Sequence, residues 1–259
     1  MWLEQTVTVA LPTYNERDSI RACIEGFLRT GVVDEVVVCN NNAAAGTSEE
    51  VALTPAREVH EPRQGYGWSC RKALAEARGD LVVLCEPDGS FAPEDIFKLL
   101  AYSADYDVVL GSRTNSEFIW SGAKMGFLLK WGNWAVAKYL ELLFNTTSLT
   151  DVGCTMRLVK RHVLEAIAPR FTTGRSHFGP EMTLLCLQAG ARVGEIPLNY
   201  KPRVGDSMGT PTLRAAFVVG ARMVAYIAAF RLRTWFTRRP LPTLAADRPR
   251  DPRPHEPSS

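Results

Sequence analysis

Apolar and polar positions alternate along the chain in two periods. "TVTVAL" (6–11) reads as a strand closed by a polar loop, "PTYNE". In "RDSIRACIEGFLRTG" the apolar Ile20, Cys23, Ile24, Phe27 and Leu28 recur at helical spacing, and Gly31 ends the run. "DEVVVC" (34–39) predicts a second strand, a polar loop follows, and a short helix starts from about Ser48. "REVHE" is a weak third strand, "GWSCRKALAEARG" a helix ending at Gly79, and "LVVLC" (81–85) a buried strand. "APEDIFKLLAYSA" has Pro93 at a helix start, and "YDVVLGSR" (106–113) is another strand. The alternation predicts an α/β chain with a mostly parallel central sheet and helices on both faces. Ligands in such sheets bind beyond the carboxyl ends of the strands, where the loops 12–16, 40–47, 86–91 and 112–115 all fall.

Two later segments differ. Residues 123–144 carry large apolar groups, Trp131 and Trp134 among them, interrupted by Lys124, Lys130, Lys138 and Glu141; residues 213–236 are similar, with Arg222 in the middle. Neither offers the ~20 uninterrupted apolar residues of a membrane span. From 207 to 246 there is no acid but six arginines, namely Arg214, Arg222, Arg231, Arg233, Arg238 and Arg239. Apolar bulk with unopposed cations predicts amphipathic interfacial helices lying on an anionic membrane surface; the alternative is a pair that pack on each other or form a dimer interface. The proline-rich end, 239–259, has little to bury and is expected to be disordered.

Composition narrows the classes. At 259 residues, with 46% hydrophobic and 22% charged residues, the chain has material for one large core. A net charge of +2 does not suggest a nucleic-acid binder. The six cysteines form no C-x-x-C pair, and the start "MWLEQTVTVALPTYNE" runs straight into a strand without a signal-peptide pattern, so a reduced, cytoplasmic chain is expected. His60, His162, His177 and His255 are widely spread, which argues against a histidine zinc site.

The most telling stretch is "LVVLCEPDGS", a greasy strand that ends in Glu86 and Asp88. Two carboxylates two residues apart, with Gly89 and Ser90 after them, suit a hard cation such as Mg²⁺ or Mn²⁺ that would also hold nucleotide phosphate oxygens. The alternative is an acid-decorated helix N-terminus, which Ser90, Glu94 and Asp95 fit well and the strand-end pair fits poorly.

"VALPTYNERDSI", "VVVCNNNAAAGT", "RQGYGWSCRKAL", "EPDGSFAPEDI", "VVLGSR" and "DVGCTMRL" occur in this order. The set resembles glycosyltransferase family 2, and in particular the dolichyl/polyprenyl-phosphate sugar synthases, over roughly residues 6–210. The resemblance implies a GT-A type catalytic domain over 1–210, with an amphipathic helical insertion at about 117–145 and a membrane-interface or dimer helix at 211–238. It also implies a nucleotide-diphosphate sugar donor (a UDP-sugar in preference to GDP-mannose) and a divalent metal.

By position, Pro12, Tyr14 and Glu16 would line the nucleoside pocket, and Glu86, Pro87 and Asp88 match the D-x-D signature with Glu in place of the first Asp. Arg113 would face phosphate, a role that suits a guanidinium. Asn40, Asn41, Asn42 and Ala45 stand in a loop where relatives carry several acids; an amide there pairs with a base or ribose without charge. Arg63, Gly65 and Gly67 precede a helix N-terminus, either as a phosphate cradle or as a simple turn. Asp151 and Arg157 resemble the D-x-x-S-G-F-R segment, so Asp151 either orients the sugar or takes a proton from a hydroxyl acceptor. Glu181 is a second acid near the cleft, or a surface helix residue. Arg203, Gly205 and Ser207 match a loop that closes over the donor, with Met208 in place of its lysine.

The activity implied is an inverting transfer to a lipid phosphate at the inner face of the cell membrane, by a peripheral protein that is monomeric or a homo-oligomer. A soluble hydroxyl acceptor, such as a secondary-metabolite or nucleoside intermediate, is the second reading. A nucleotide-sugar binding module without catalysis is the third. The absence of G-x-G-x-x-G after the first strand argues against a dinucleotide-binding oxidoreductase.

Overall fold

The β-branched run of residues 7–13 becomes strand β1 (Val7–Thr13), buried along its whole length. Helices packed on both faces of the sheet leave it no solvent face, which is why the run reads as continuous rather than alternating. β2 (Glu35–Asn40), β3 (Arg57–His60), β4 (Leu81–Leu84), β5 (Val108–Ser112), β6 (Arg157–Lys160) and β7 (Val193–Pro197) complete a seven-stranded sheet in the order β3-β2-β1-β4-β6-β5-β7. The computed structural model describes residues 1–123, 126–146, 148–205 and 213–236. Ser207, Met208 and the 239–259 tail lie outside the described residues.

Helices α1 (Arg17–Arg29), α2 (Thr47–Ala52), α3 (Tyr66–Glu76) and α4 (Ile96–Tyr102) connect the strands, with a 3₁₀ turn at Pro93–Asp95 before α4. Helices α5 (Phe127–Phe144), α6 (Arg161–Ile167), α7 (Phe178–Gln188) and α8 (Leu213–Phe236) follow. Two apolar clusters, one on each face of the sheet, hold these layers together. One packs Ile20, Ile24 and Phe27 of α1 and Leu99 of α4 against Val9 and Val83. The other packs α3, α5, α6 and α7 against Val82, Leu110 and Val159.

β6 is antiparallel to both β4 and β5, with Leu84 and Leu110 both opposite Arg157. This reversal matters for the site. An antiparallel strand enters the sheet at the edge where its parallel neighbours leave, so residues 151–156 arrive at the same rim as 12–16, 85–91 and 112–115.

α8 buries one stripe. Ile227 is fully buried, Met223, Tyr226 and Phe230 pack on the same core, and the Phe144 and Phe230 rings lie 6.0 Å apart. Its opposite side exposes Phe217, Val218, Val224 and Leu232 beside Arg214 and Arg222. No helix among the described residues is long and apolar enough to cross a membrane.

Candidate active site

Along the carboxyl rim of the sheet runs a cleft of about 530 Å³, within the usual range for a small-molecule site. Its walls come from the β1 loop (Pro12, Tyr14, Glu16), Asn41, the start of α3 (Gln64, Tyr66, Ser69), Glu86, Asp88, Arg113, Thr155, the start of α7 (Gly179, Pro180), Tyr200 and Arg203. Val219 of α8 also reaches it.

Three carboxylates meet at its centre around one guanidinium. Arg203 places Nη2 2.8 Å from Glu16 Oε1, and Nη1 3.2 Å from Asp88 Oδ2 and 3.8 Å from Glu86 Oε2. Local chemistry fixes each partner. Glu16 Oε2 accepts the backbone N–H groups of Tyr14 (2.7 Å) and Asn15 (2.9 Å), which holds the turn after β1. Asp88 is buried, and its Oδ1 accepts both the N–H (2.9 Å) and the hydroxyl (2.6 Å) of Ser90. Glu86 accepts the Thr155 hydroxyl at 3.0 Å, and Thr155 lies 3.1 Å from the Tyr66 hydroxyl.

Arg203 reaches the centre because residues 200–204 lie along the acidic loop. Lys201 N–H donates to Ser90 O at 2.7 Å and Val204 N–H to Asp88 O at 2.9 Å. Burial, with Asp88 adding to it, pushes Glu86 up to about 7. Burial opposes the charge on Arg203, yet Asp88, Glu86 and Glu16 together hold it above its ordinary value. Its buried Nε–H has no partner among the described residues.

A second ion pair forms the far wall. Arg113 donates Nε to Asp151 Oδ2 (2.8 Å), Nη2 to Oδ1 (3.0 Å) and its backbone N–H to Oδ2 (3.1 Å). Gly153 N–H adds a fourth bond, and Asp151 is fully buried. Burial works against the Arg113 charge, but Asp151 holds it well above the usual value. Asp151 is therefore an anchor for Arg113, with both oxygens committed.

Of the residues singled out from sequence, Pro12, Tyr14, Glu16, Asn41, Glu86, Asp88, Arg113 and Arg203 line the cleft. Asn41 spends its amide locally, donating to Glu61 O and Arg63 O and accepting from Gly65 N–H. Others are placed elsewhere. Arg157 is buried and donates to the carbonyls of Gly179, Val152 and Cys154, so it braces the sheet under α7 rather than meeting a donor. Arg63 turns outward to Glu61 (2.7 Å) and stacks on Trp68.

Asn40 is tied to Ser48 and Glu58, Asn42 to Pro62 O and Gln64, and Pro87 gives its carbonyl to Ser19. Glu181 is buried against Thr172, Thr173 and the Tyr226 hydroxyl of α8. Gly65 and Gly67 serve close packing: a Cβ on Gly67 would lie 2.7 Å from the Gly174 carbonyl carbon, and Gly65 holds φ +145°. Both lie closely against loop 172–175. Tyr66, Thr155, Tyr200 and Gln64 also line the cleft, and in the sequence only their positions beside motif residues point to them.

The sequence profile of Glycosyl transferase family 2 matches residues 8–168, more than half of the chain. This is a family 2 glycosyltransferase. Its relatives include the "Low-salt glycan biosynthesis hexosyltransferase Agl6" of Haloferax volcanii, 30% identical over 213 residues, covering 78% of this chain. The chain spans about half (49%) of that relative. The "Dolichyl-phosphate hexose transferase" of the same organism is 29% identical over 88% of this chain and 96% of its own length. Among solved structures, glucosyl-3-phosphoglycerate synthase from Mycobacterium tuberculosis, crystallised with Mn²⁺ and UDP, superposes with TM-score 0.66 over 88% of this chain and 80% of that one. At 17% identity this likeness shows a shared fold, and the expected GT-A type architecture stands.

Proposed function

We propose that this family 2 enzyme moves a sugar, with inversion, from a nucleoside-diphosphate sugar to a lipid phosphate at a membrane surface. The donor is a UDP-sugar in preference to GDP-mannose. The observation that carries the acceptor class is the Arg113–Asp151 pair. A hydroxyl acceptor must lose a proton, and the cleft carboxylates have other work: Asp151 is held by four donors, Glu16 and Asp88 by Arg203, and Glu86 belongs with Asp88 to the proposed cation. A phosphate acceptor is already an anion and calls for a fixed cation, which Arg113 supplies. The relative matched over 96% of its length bears a name of the same class, a dolichyl-phosphate hexose transferase.

Glu86 and Asp88 fit a divalent cation in a limited sense. No three acidic, histidine or cysteine side chains among the described residues form a cation cage. The protein therefore offers two carboxylates, and the donor diphosphate and water complete the shell, a division of labour typical of Mg²⁺ and of Mn²⁺ sites. Arg203 offsets only part of the charge of Glu16, Glu86 and Asp88, which leaves negative charge for a cation to neutralise. Bound there, the metal would offset charge growing on the leaving diphosphate.

The chain's own residues do the rest. Pro12, Tyr14, Gln64 and Ser69 border the part of the cleft that would take the nucleoside, and Glu86, Asp88 and Arg203 border the part that would take the diphosphate. Arg113 holds the acceptor phosphate behind the anomeric carbon. An acceptor oxygen forms the new bond to that carbon as the bond to the diphosphate breaks, and the electron pair leaves on the nucleoside diphosphate.

The exposed side of α8, with Phe217, Val218 and Leu232 beside Arg214 and Arg222, supports peripheral docking on anionic lipid. The test is turnover of UDP-sugars and GDP-mannose with Mn²⁺, using polyprenyl phosphate and soluble hydroxyl compounds as acceptors. Transfer to the lipid phosphate supports the reading. Transfer to soluble hydroxyl compounds alone sinks it.

A further inference from the structure

Behind the Arg113–Asp151 wall lies a second cavity of about 400 Å³ that the donor cleft does not use. Chain alternation builds it. Arg113 turns to the cleft while its neighbours Ser112 and Thr114 turn away, and Asp151 turns to Arg113 while Thr150 turns away. Ser112, Thr114 and Thr150 place their hydroxyls within 2.6–2.8 Å of one another, and Glu195 of β7 accepts from the Thr150 hydroxyl and from the backbone of Thr150 and Asp151. Trp131 and Trp134 of α5, edge to face at 5.3 Å, form the opposite side with Lys130 at the rim.

The chemistry of the lining selects a ligand. Three hydroxyl hydrogens are spent inside the cluster, one on Glu195, so what remains toward the cavity is oxygen lone pairs beside a carboxylate. Such a floor accepts from O–H groups and repels anions. Indole faces favour the apolar face of a ring whose edge carries polar groups, because an indole is a large flat apolar surface with a negative π cloud facing C–H. A volume of 400 Å³ suits one or two such rings. The geometry points to a subsite for a neutral pyranose sugar, formed by Ser112, Thr114, Thr150, Glu195, Trp131 and Trp134. The subsite stands independently of the phosphate-acceptor reading. The two indoles that the sequence pattern offers to a membrane thereby acquire a different partner.

The experiment is saturation-transfer NMR on the full chain with neutral methyl hexosides, run with UDP and Mn²⁺ in excess to fill the donor cleft. One or more hexosides should bind in the millimolar range with transfer to the ring protons of one face. Binding should weaken about tenfold or more in Trp134→Ala and in Thr114→Val, and persist undiminished when UDP and Mn²⁺ saturate the donor cleft, which separates this subsite from the donor site. Three results overturn the proposal: no hexoside binding up to high millimolar concentration, undiminished binding in both variants, or tighter binding of glucose 1-phosphate than of the neutral hexosides. Quenching of Trp131 and Trp134 by brominated lipid vesicles in place of hexoside binding would return them to the membrane and overturn it equally.

Discussion

Replacing Arg203 with glutamine removes the cation at the meeting point of Glu16, Asp88 and Glu86 while keeping a side chain of similar polarity. At an effective dielectric of about 20, each contact near 4 Å is worth roughly 4 kcal/mol before desolvation, and removing one partner from a buried group costs about 3–5 kcal/mol net. The Arg203 side chain is 20% exposed, so solvent screens part of this, and about 3 kcal/mol is the working figure. For a chain of this size that corresponds to a melting point roughly 6–12 °C lower in the presence of a chelator. Mn²⁺ with a nucleoside diphosphate should then restore more stability to the variant than to the wild type, because an added cation takes over the charge that Arg203 supplied. Differential scanning fluorimetry with chelator, Mn²⁺, UDP, and both together measures all four states. Equal melting points in chelator, or equal gains on adding Mn²⁺ and UDP, would refute the reasoning.

Burial holds Glu86 at about 7, so the folded protein binds a proton there that the unfolded chain, titrating near 4.5, releases earlier. The wild type therefore loses up to about 3 kcal/mol relative to Glu86→Gln as pH rises from near 4.5 through 7, while below 4.5 the contribution is fully present; chemical denaturation in chelator across that window checks it. Asp151→Asn should cost about 3 kcal/mol of stability by leaving Arg113 unpaired, yet leave the acid limb of the pH–rate profile in place; a lost limb at unchanged stability would instead mark a proton acceptor. Gly67→Ala sets a methyl against Thr173 and Gly174 backbone and should destabilise by about 1–3 kcal/mol, read as a lower denaturation midpoint. Arg222→Ala should weaken flotation with anionic vesicles several-fold, from a loss of about 1 kcal/mol, and leave binding to neutral vesicles unchanged.

Periodicity located β1, β2, β4 and β5 to within two residues or so because each is a buried β-branched run, and the helix expected at 213–236 is α8. β6 and β7 escaped it. "RLVK" is four residues long, and "VGEIP" carries Gly194 and a carboxylate whose place is set by Thr150, forty-five residues away in sequence. Insertion of an antiparallel strand between β4 and β5 is a long-range event that local pattern does not encode.

Within the site, the strand-end acids and the Pro12–Glu16 loop were legible because folding and chemistry coincide there. For Arg157 and Glu181 a motif gives the position in the chain and not the direction: one points under α7, the other toward Tyr226. The Arg203 contact with three acids from two other loops follows from tertiary structure alone.

The most direct check is calorimetric titration of UDP into wild-type protein and Asp88→Asn, each with Mn²⁺ and with chelator. Affinity at least about tenfold higher with Mn²⁺ in the wild type, and no metal effect in the variant, is the predicted result. Metal-independent binding in the wild type, or an intact metal effect in Asp88→Asn, would contradict the assignment of the β4-end carboxylates to a donor-bound cation.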